Sequence, residues 1–187
     1  MKHAQPFKPL QIAVLTISNR HTAATDSSGD LICQLLQQAG HLLLQRSIVP
    51  ADRYQIRARL SQLICDEQCQ VILLNGGTGF TADNCTSEAI APLFDQSVVG
   101  FGELFRQLSY QQMGSASLQS SAMAGLANQR VIFALPGSPA ACELAMHALI
   151  LPQLDATVRP CNFVPHLAGS NSPSCEPRHP QTLKAAL

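Results

Sequence analysis

Residues 70–79 read Gln-Val-Ile-Leu-Leu-Asn-Gly-Gly-Thr-Gly. The first half, Gln70 to Leu74, is short, continuously apolar and rich in branched side chains, the pattern of a strand buried on both faces. It runs straight into a glycine turn, Gly76-Gly77-Thr78-Gly79. Leu10 to Ile17 (LQIAVLTI), Leu42 to Val49 and Val131 to Leu135 (VIFAL) read as further strands of the same kind. Between them lie helical stripes. Leu31, Ile32, Leu35, Leu36 and Ala39 form one, entered past Asp26, Ser27 or Ser28 as N-cap and closed at Gly40. Ile56, Leu60, Leu63 and Ile64 form a second, opened at Pro50-Ala51-Asp52, with Arg53, Arg57 and Arg59 on a solvated face. Thr86 is placed to cap a helix through Leu93, and Phe101, Leu104, Phe105 and Leu108 mark another before Gly114. A last helix runs from about Ala140 to Ile150, stopped at Pro152. Strands alternating with helices predict an α/β fold, a three-layer α/β/α sandwich with a mostly parallel central sheet.

Composition narrows the function. The chain has 187 residues, enough for one domain, and a formal net charge of zero. Without a basic excess, and with no tryptophan, nucleic-acid binding is excluded as a main role. No apolar run approaches the roughly 20 residues of a membrane span, and residues 1–9 lack a signal-peptide core, so the expected address is cytoplasmic. Only 13% of residues are charged, which predicts that self-association covers part of the surface. The seven cysteines contain no C-x-x-C pair and read as small buried hydrophobes. Residues 1–9 are expected to be a flexible N-terminus, residues 10–167 the domain, and residues 168–187, rich in Ser and Pro, a disordered tail.

Ligands of open α/β sheets sit beyond the carboxyl ends of the parallel strands. Three loops leave such ends here: residues 16–20, the turn after Asn75, and Pro136-Gly137-Ser138-Pro139. Consecutive glycines let backbone N–H groups converge on a phosphate, and a following helix adds its dipole. The turn is neither a Walker A loop, since no Gly-Lys-Ser/Thr follows, nor a Rossmann fingerprint, since the spacing fails.

The wider context is more specific. It comprises Gly76-Gly-Thr-Gly-Phe-Thr-Ala-Asp-Asn-Cys-Thr-Ser-Glu-Ala89, Pro92-Leu-Phe-Asp95, Gly100-Phe-Gly-Glu-Leu-Phe-Arg106 and Leu108-Ser-Tyr110. Ser117-Leu-Gln-Ser120, Pro136-Gly-Ser138, Pro152-Gln-Leu-Asp-Ala156 and Arg159-Pro-Cys-Asn-Phe163 follow. Together these resemble the MoaB/MogA molybdopterin-binding family of molybdenum cofactor biosynthesis, over roughly residues 10–167. The resemblance implies a homo-oligomer, a trimer or, in the MoaB branch, a hexamer, with other proteins of the pathway as possible partners. It also implies a pocket for molybdopterin, a pterin with a dithiolene and a terminal phosphate. Active relatives transfer AMP from Mg-ATP to that phosphate, which needs a phosphate cradle and carboxylates for Mg²⁺. Carried onto this chain, the substrate-binding positions are Ser18, Gly76, Gly77, Thr78, Gly79, Ser115, Ser117, Pro136, Gly137 and Ser138. The catalytic positions are Asp83, Asn84 and Asp52, with Asp83 as the metal ligand.

The catalytic positions depart from the family pattern. Active members carry Arg-Asp where this chain has Asp83-Asn84. The acid expected after the proline of the second-strand loop is Ala51, with Asp52 one place on, where it also reads as a helix N-cap. Ser121 and Ala140 stand where relatives carry Arg and Lys. Two readings follow: a molybdopterin adenylyltransferase using Mg²⁺ and ATP, or a non-catalytic oligomeric carrier with a degenerate active site. A purely structural assembly protein fits the glycine turns and polar loops less well.

Overall fold

The computed structural model describes residues 6–81 and 83–169. Six strands form one sheet: β1 (Gln11–Ile17), β2 (Leu42–Val49), β3 (Val71–Asn75), β4 (Gln96–Ser97), β5 (Met123–Ala127) and β6 (Arg130–Leu135). Their spatial order is β2-β1-β3-β6-β5-β4, and β2, β1, β3 and β6 run parallel. The chain therefore leaves β1 to one side for β2 and to the other for β3, a switch point at the carboxyl ends of β1 and β3.

Alternation along the strands feeds two cores. Ile12, Val14, Val71, Leu73, Val131, Phe133 and Leu135 face α1 (Ser27–Gln38), α4 (Val99–Met113) and α5 (Pro139–Ala145). Ala13, Leu15, Ile17, Ile72, Leu74, Ile132 and Ala134 face α2 (Arg53–Cys65) and α3 (Thr86–Ile90). Every residue of β3 and β6 is buried, as the apolar runs at residues 71–74 and 131–135 require of strands covered on both sides. The three-layer sandwich is thus the observed architecture. No helix among the described residues is long and apolar enough to cross a membrane.

Three local readings are corrected, and one strand is added. The strand β5 was not legible as a separate element; it pairs antiparallel to β6 through a two-residue turn, Asn128-Gln129, both at positive φ. Helix α3 ends at Ile90, with a 3-10 turn over Ala91–Leu93, and its N-cap is Cys85 rather than Thr86. The last helix does not stop at Pro152. It widens into a π turn at Met146–Ile150, where Leu151 N–H donates to Met146 O, and continues as α6 (Leu151–Leu154). Pro152 sits at the opening of α6, directly after that π turn. The arginines of α2 are not simply solvated: Arg57 donates to the carbonyls of Glu88 and Ala89, Arg53 pairs with Glu88, and Arg59 bonds Gln45 and Gln62. Arg53 and Arg57 pin α3, and with it the segment after the glycine turn, to α2.

Of the segment expected to be flexible, residues 1–5 lie outside the described residues. Phe7 packs on His41 with ring centroids 5.3 Å apart, and Lys8 Nζ donates to Gly169 O at 3.0 Å. The expected tail lies outside them from residue 170 onward.

His41 is buried, and its Nδ1 accepts the Leu10 N–H at 3.3 Å, so the ring is neutral. Burial lowers its pKa below the ordinary 6.5, against an opposing pull from Asp155. As pH falls through 6.5, the unfolded chain takes up a proton that the folded chain resists, so stability declines in that window. The expected result is a lower urea midpoint at pH 5.5 than at pH 7.5, with a smaller step in His41→Gln; equilibrium unfolding across that range measures both.

Candidate functional site

The sheet's last parallel rung carries polar side chains. Thr16 of β1 and Asn75 of β3 are register partners, both on the α1 side and both almost fully buried. Polar groups taken from water must find partners. Thr16 Oγ1 donates to Asp26 Oδ2 at 2.6 Å and lies 3.0 Å from Asn75 Oδ1. Asp26 is the N-cap of α1 and accepts the Gly29 N–H at 3.0 Å. From β2, Arg46 donates to Asp26 Oδ2 at 2.8 Å and to its backbone carbonyl at 3.0 Å, and reaches Asp30 as well. Burial on its own would raise the Asp26 pKa. The hydrogen bonds from Thr16, Arg46 and Gly29 together outweigh that and hold the carboxyl below its usual range.

Beside this network, at the switch point, opens a cavity of about 350 Å³. It is lined by the end of β1 (Thr16, Ile17, Ser18), His21, the start of α1, Asn75, Gly76 and Gly137. Ser18 Oγ accepts the N–H groups of Arg20 and His21, at 3.1 and 3.0 Å, which folds the β1–α1 loop over the opening. Ser28 Oγ donates to Gly137 O at 2.8 Å and ties the loop after β6 to α1. The Ser138 hydroxyl caps α5 by accepting the Ala141 N–H.

The glycine turn is held by close approach. Gly76 and Gly77 have φ of +93° and +64°. A Cβ on Gly76 would lie 2.5 Å from Ile17 O, and one on Gly77 would lie 2.4 Å from Thr86 Oγ1. The Gly76 N–H is given to Leu135 O at 3.0 Å, so it is committed to the sheet. Thr86 is buried; its hydroxyl donates to Gly76 O at 2.9 Å, and its N–H donates to Gly77 O at the same distance. It is a strut of the turn. Helix α3 that follows has five residues, too short for much of the dipole expected of it.

The expected site residues fall into groups. Ser18, Gly76 and Gly137 line the cavity, with Pro136 and Ser138 flanking Gly137. Thr78 is buried and Gly79 exposed further along the turn. Asp83 is exposed, and Asn84 donates through Nδ2 to Thr81 Oγ1. Asp52 caps α2, accepting the Tyr54 and Gln55 N–H groups at 3.0 and 2.8 Å. Its loop neighbours the site, since Ala51 N–H donates to Asn19 Oδ1 at 2.9 Å. Burial and the Asp52 charge raise the Cys85 thiol pKa, which disarms it as a nucleophile. Ser117 is buried and Ser115 exposed in the 3-10 turn Gly114–Gln119 that follows α4; neither lines the cavity. Cys142 and Cys69, pushed up by burial to about 12 and about 11, behave as packing groups. Among the described residues no group of three or more His, Cys, Asp or Glu is gathered as a metal site.

The Thr16–Asp26–Arg46–Asn75 network was missed as a unit. Its signals were a threonine closing an apolar strand, and an arginine inside another.

Comparison with known proteins identifies the family. A family model described as "Probable molybdopterin binding domain" matches residues 13–156. The chain is 50% identical over 161 residues to molybdenum cofactor biosynthesis protein B of Escherichia coli (strain K12), covering 86% of this chain and 95% of that protein. The protein of the same name in Bacillus subtilis (strain 168) is 42% identical over 147 residues, covering 78% and 86%. Among solved structures, one of a molybdenum cofactor biosynthesis protein B superposes with a TM-score of 0.78 at 42% identity, covering 80% of this chain and 94% of that one. The tungsten cofactor synthesizing protein MoaB from Pyrococcus furiosus superposes at 0.67 with 33% identity, covering 75% and 89%.

Removing the Asp26 carboxylate leaves Arg46 and Thr16 without their buried partner. Asp26→Ala is expected to lose about 2–4 kcal/mol of stability at neutral pH, from broken charge pairing and a lost cap. Chemical denaturation measures this. Because the Asp26 pKa is lowered, its contribution disappears as pH falls below about 3.8, so wild type and variant converge there.

Proposed function

The chain belongs to the molybdopterin-binding domain family of molybdenum cofactor biosynthesis proteins, and on that premise we propose that it holds molybdopterin in the switch-point cavity without adenylylating it. The observation that carries this reading is the contrast between scaffold and charge. The cavity, the paired positive-φ glycines and the three strand-end loops are all in place. A volume of about 350 Å³ lies in the range of small-molecule sites. The groups that adenylyl transfer would need are altered.

Mg²⁺ takes carboxylate oxygens in a near-octahedral shell. Near the turn, Asp83 is one exposed carboxylate, Asn84 is an uncharged amide engaged with Thr81, and Asp52 has an oxygen committed to capping α2. This donor set does not fit a Mg-ATP clamp. Relative to active members, Ser121 and Ala140 also replace cations that would hold anionic oxygens, each a charge-assisted contact. What the chain's own residues do is bind and orient: the β1–α1 loop closes one wall, Gly76 and Gly137 another, and the buried network forms the floor.

A second reading, transfer of AMP from Mg-ATP by Asp83, Asn84 and Asp52, draws support from one observation. The Asp52 charge is felt at Cys85, next to Asn84, so the two loops lie near each other. Homo-oligomerisation, as a trimer or hexamer, is part of the proposal. Val99, Leu104, Tyr110 and Met113 on α4, with Leu118 beyond it, present apolar surface that suits a second copy. A cytoplasmic location and hand-over to other proteins of the pathway complete it.

Purified protein is mixed with molybdopterin, ATP and Mg²⁺. The expected outcome is saturable molybdopterin binding with no adenylylated product; product at a rate near that of an active relative overturns the carrier reading. Product appearing only in Asn84→Asp would trace the loss to that amide. Gly77→Val forces a side chain onto Thr86 and Ile17 at an unfavourable φ, and is expected to abolish molybdopterin binding. Retained affinity in that variant displaces the site from the turn. Sedimentation velocity on the wild type reads the oligomer.

A further inference from the structure

Thr16 Oγ1 carries one proton and has two polar side-chain neighbours, Asp26 Oδ2 at 2.6 Å and Asn75 at 3.0 Å, whose nearer amide atom is placed as Oδ1, so that two oxygens face a single proton. Asp26 is ionised, since the Arg46 guanidinium lies 2.8 Å from the same oxygen and the Gly29 N–H donates at 3.0 Å to the other. An ionised carboxylate only accepts, so the Thr16 proton goes to Asp26. What Thr16 offers Asn75 is a lone pair, and the amide group facing it must be the donating NH₂. The nitrogen and oxygen of an amide occupy equivalent positions, and the hydrogen-bond network decides between them. Here it reverses the placed orientation and turns the carbonyl oxygen away from Thr16. Asn75 is 1% exposed, lines the cavity, and has Thr16 as its side chain's one hydrogen-bond partner among the described residues.

We infer that Asn75 presents its amide carbonyl oxygen to the cavity floor, and that the ligand group seated there is an N–H donor rather than a phosphate oxygen. The second half rests on the molybdopterin-binding reading. A pterin carries adjacent donors on one edge, a lactam N–H and an amino group, and these suit an isolated buried carbonyl. A phosphate oxygen in that place would meet the negative end of the amide dipole, with the Asp26 carboxylate behind it. Asn75 is then a specificity-determining residue, and Thr16 and Asp26 are positioning residues that lock its amide in one orientation.

The orientation is read in ligand-free protein from the Asn75 side-chain NH₂ resonances. NOEs from these protons to the Thr16 side chain are expected, and their absence overturns the inference. The seat is read by calorimetry with a soluble 6-substituted pterin, its N3-methyl analogue and inorganic phosphate. The pterin is expected to bind roughly ten- to a hundredfold more tightly than the methylated analogue, since methylation leaves the buried carbonyl unpaired. That ratio is expected to fall to near one in Asn75→Leu and in Thr16→Val, each checked for native dispersion of its NMR spectrum. Equal affinity for the two pterins in the wild type overturns the seat, as does competitive displacement of pterin by phosphate. If pterin does not bind but guanine, which carries the same lactam and amino edge, binds in an Asn75-dependent manner, the molybdopterin reading fails and the acceptor floor stands. If neither binds, the acceptor floor is overturned.

Discussion

The site depends on one buried carboxylate. Asp26 receives hydrogen bonds from Thr16 on β1, from Gly29 in the first turn of α1 and from Arg46 on β2. An ionised group inside a protein persists only when each of its oxygens is satisfied. Meeting that condition fixes three elements relative to one another at the point where the sheet reverses its strand order. The start of α1 and the cavity floor follow from it. The Ser28 bond to Gly137 then extends the same order across to β6.

A second constraint is steric. The turn after β3 lies so close to β1 that a methyl group on Gly76 would strike Ile17 O, and one on Gly77 would strike Thr86. The glycines are required by the turn's own packing before any ligand is considered. The Gly76 N–H serves the sheet and is not free to join a phosphate cradle, and Thr86 braces the turn from α3. The residues just beyond it carry the chemical question, since an amide at Asn84 binds a cation more weakly than a carboxylate does.

The parallel strands and their helices were legible because each buries an apolar pattern with its own period. Residues 10–17, 42–49 and 131–135 nearly coincide with β1, β2 and β6 for that reason. Elements that depend on distant partners were not legible. The strand β5 is a short run, MAGLA, that is a strand because β6 pairs with it and because Asn128 and Gln129 accept positive φ without a glycine. The passage through Pro152 depends on a π turn that no local signal announces. The arginines of α2 looked like a solvent face because their acceptors, the carbonyls of Glu88 and Ala89, are about thirty residues away.

By itself the sequence determined the sandwich, the family, and the departures at Asp83-Asn84. These are properties of local pattern and of residue identity, which the chain carries whatever its partners. Only the tertiary structure decided which polar groups form the floor. Thr16, Asp26 and Asn75, which line it, and Arg46, which holds Asp26, come from four separate segments, and each looks ordinary where it stands. Burial brings them within hydrogen-bond distance, and the single proton of the Thr16 hydroxyl then dictates how the amide of Asn75 must point.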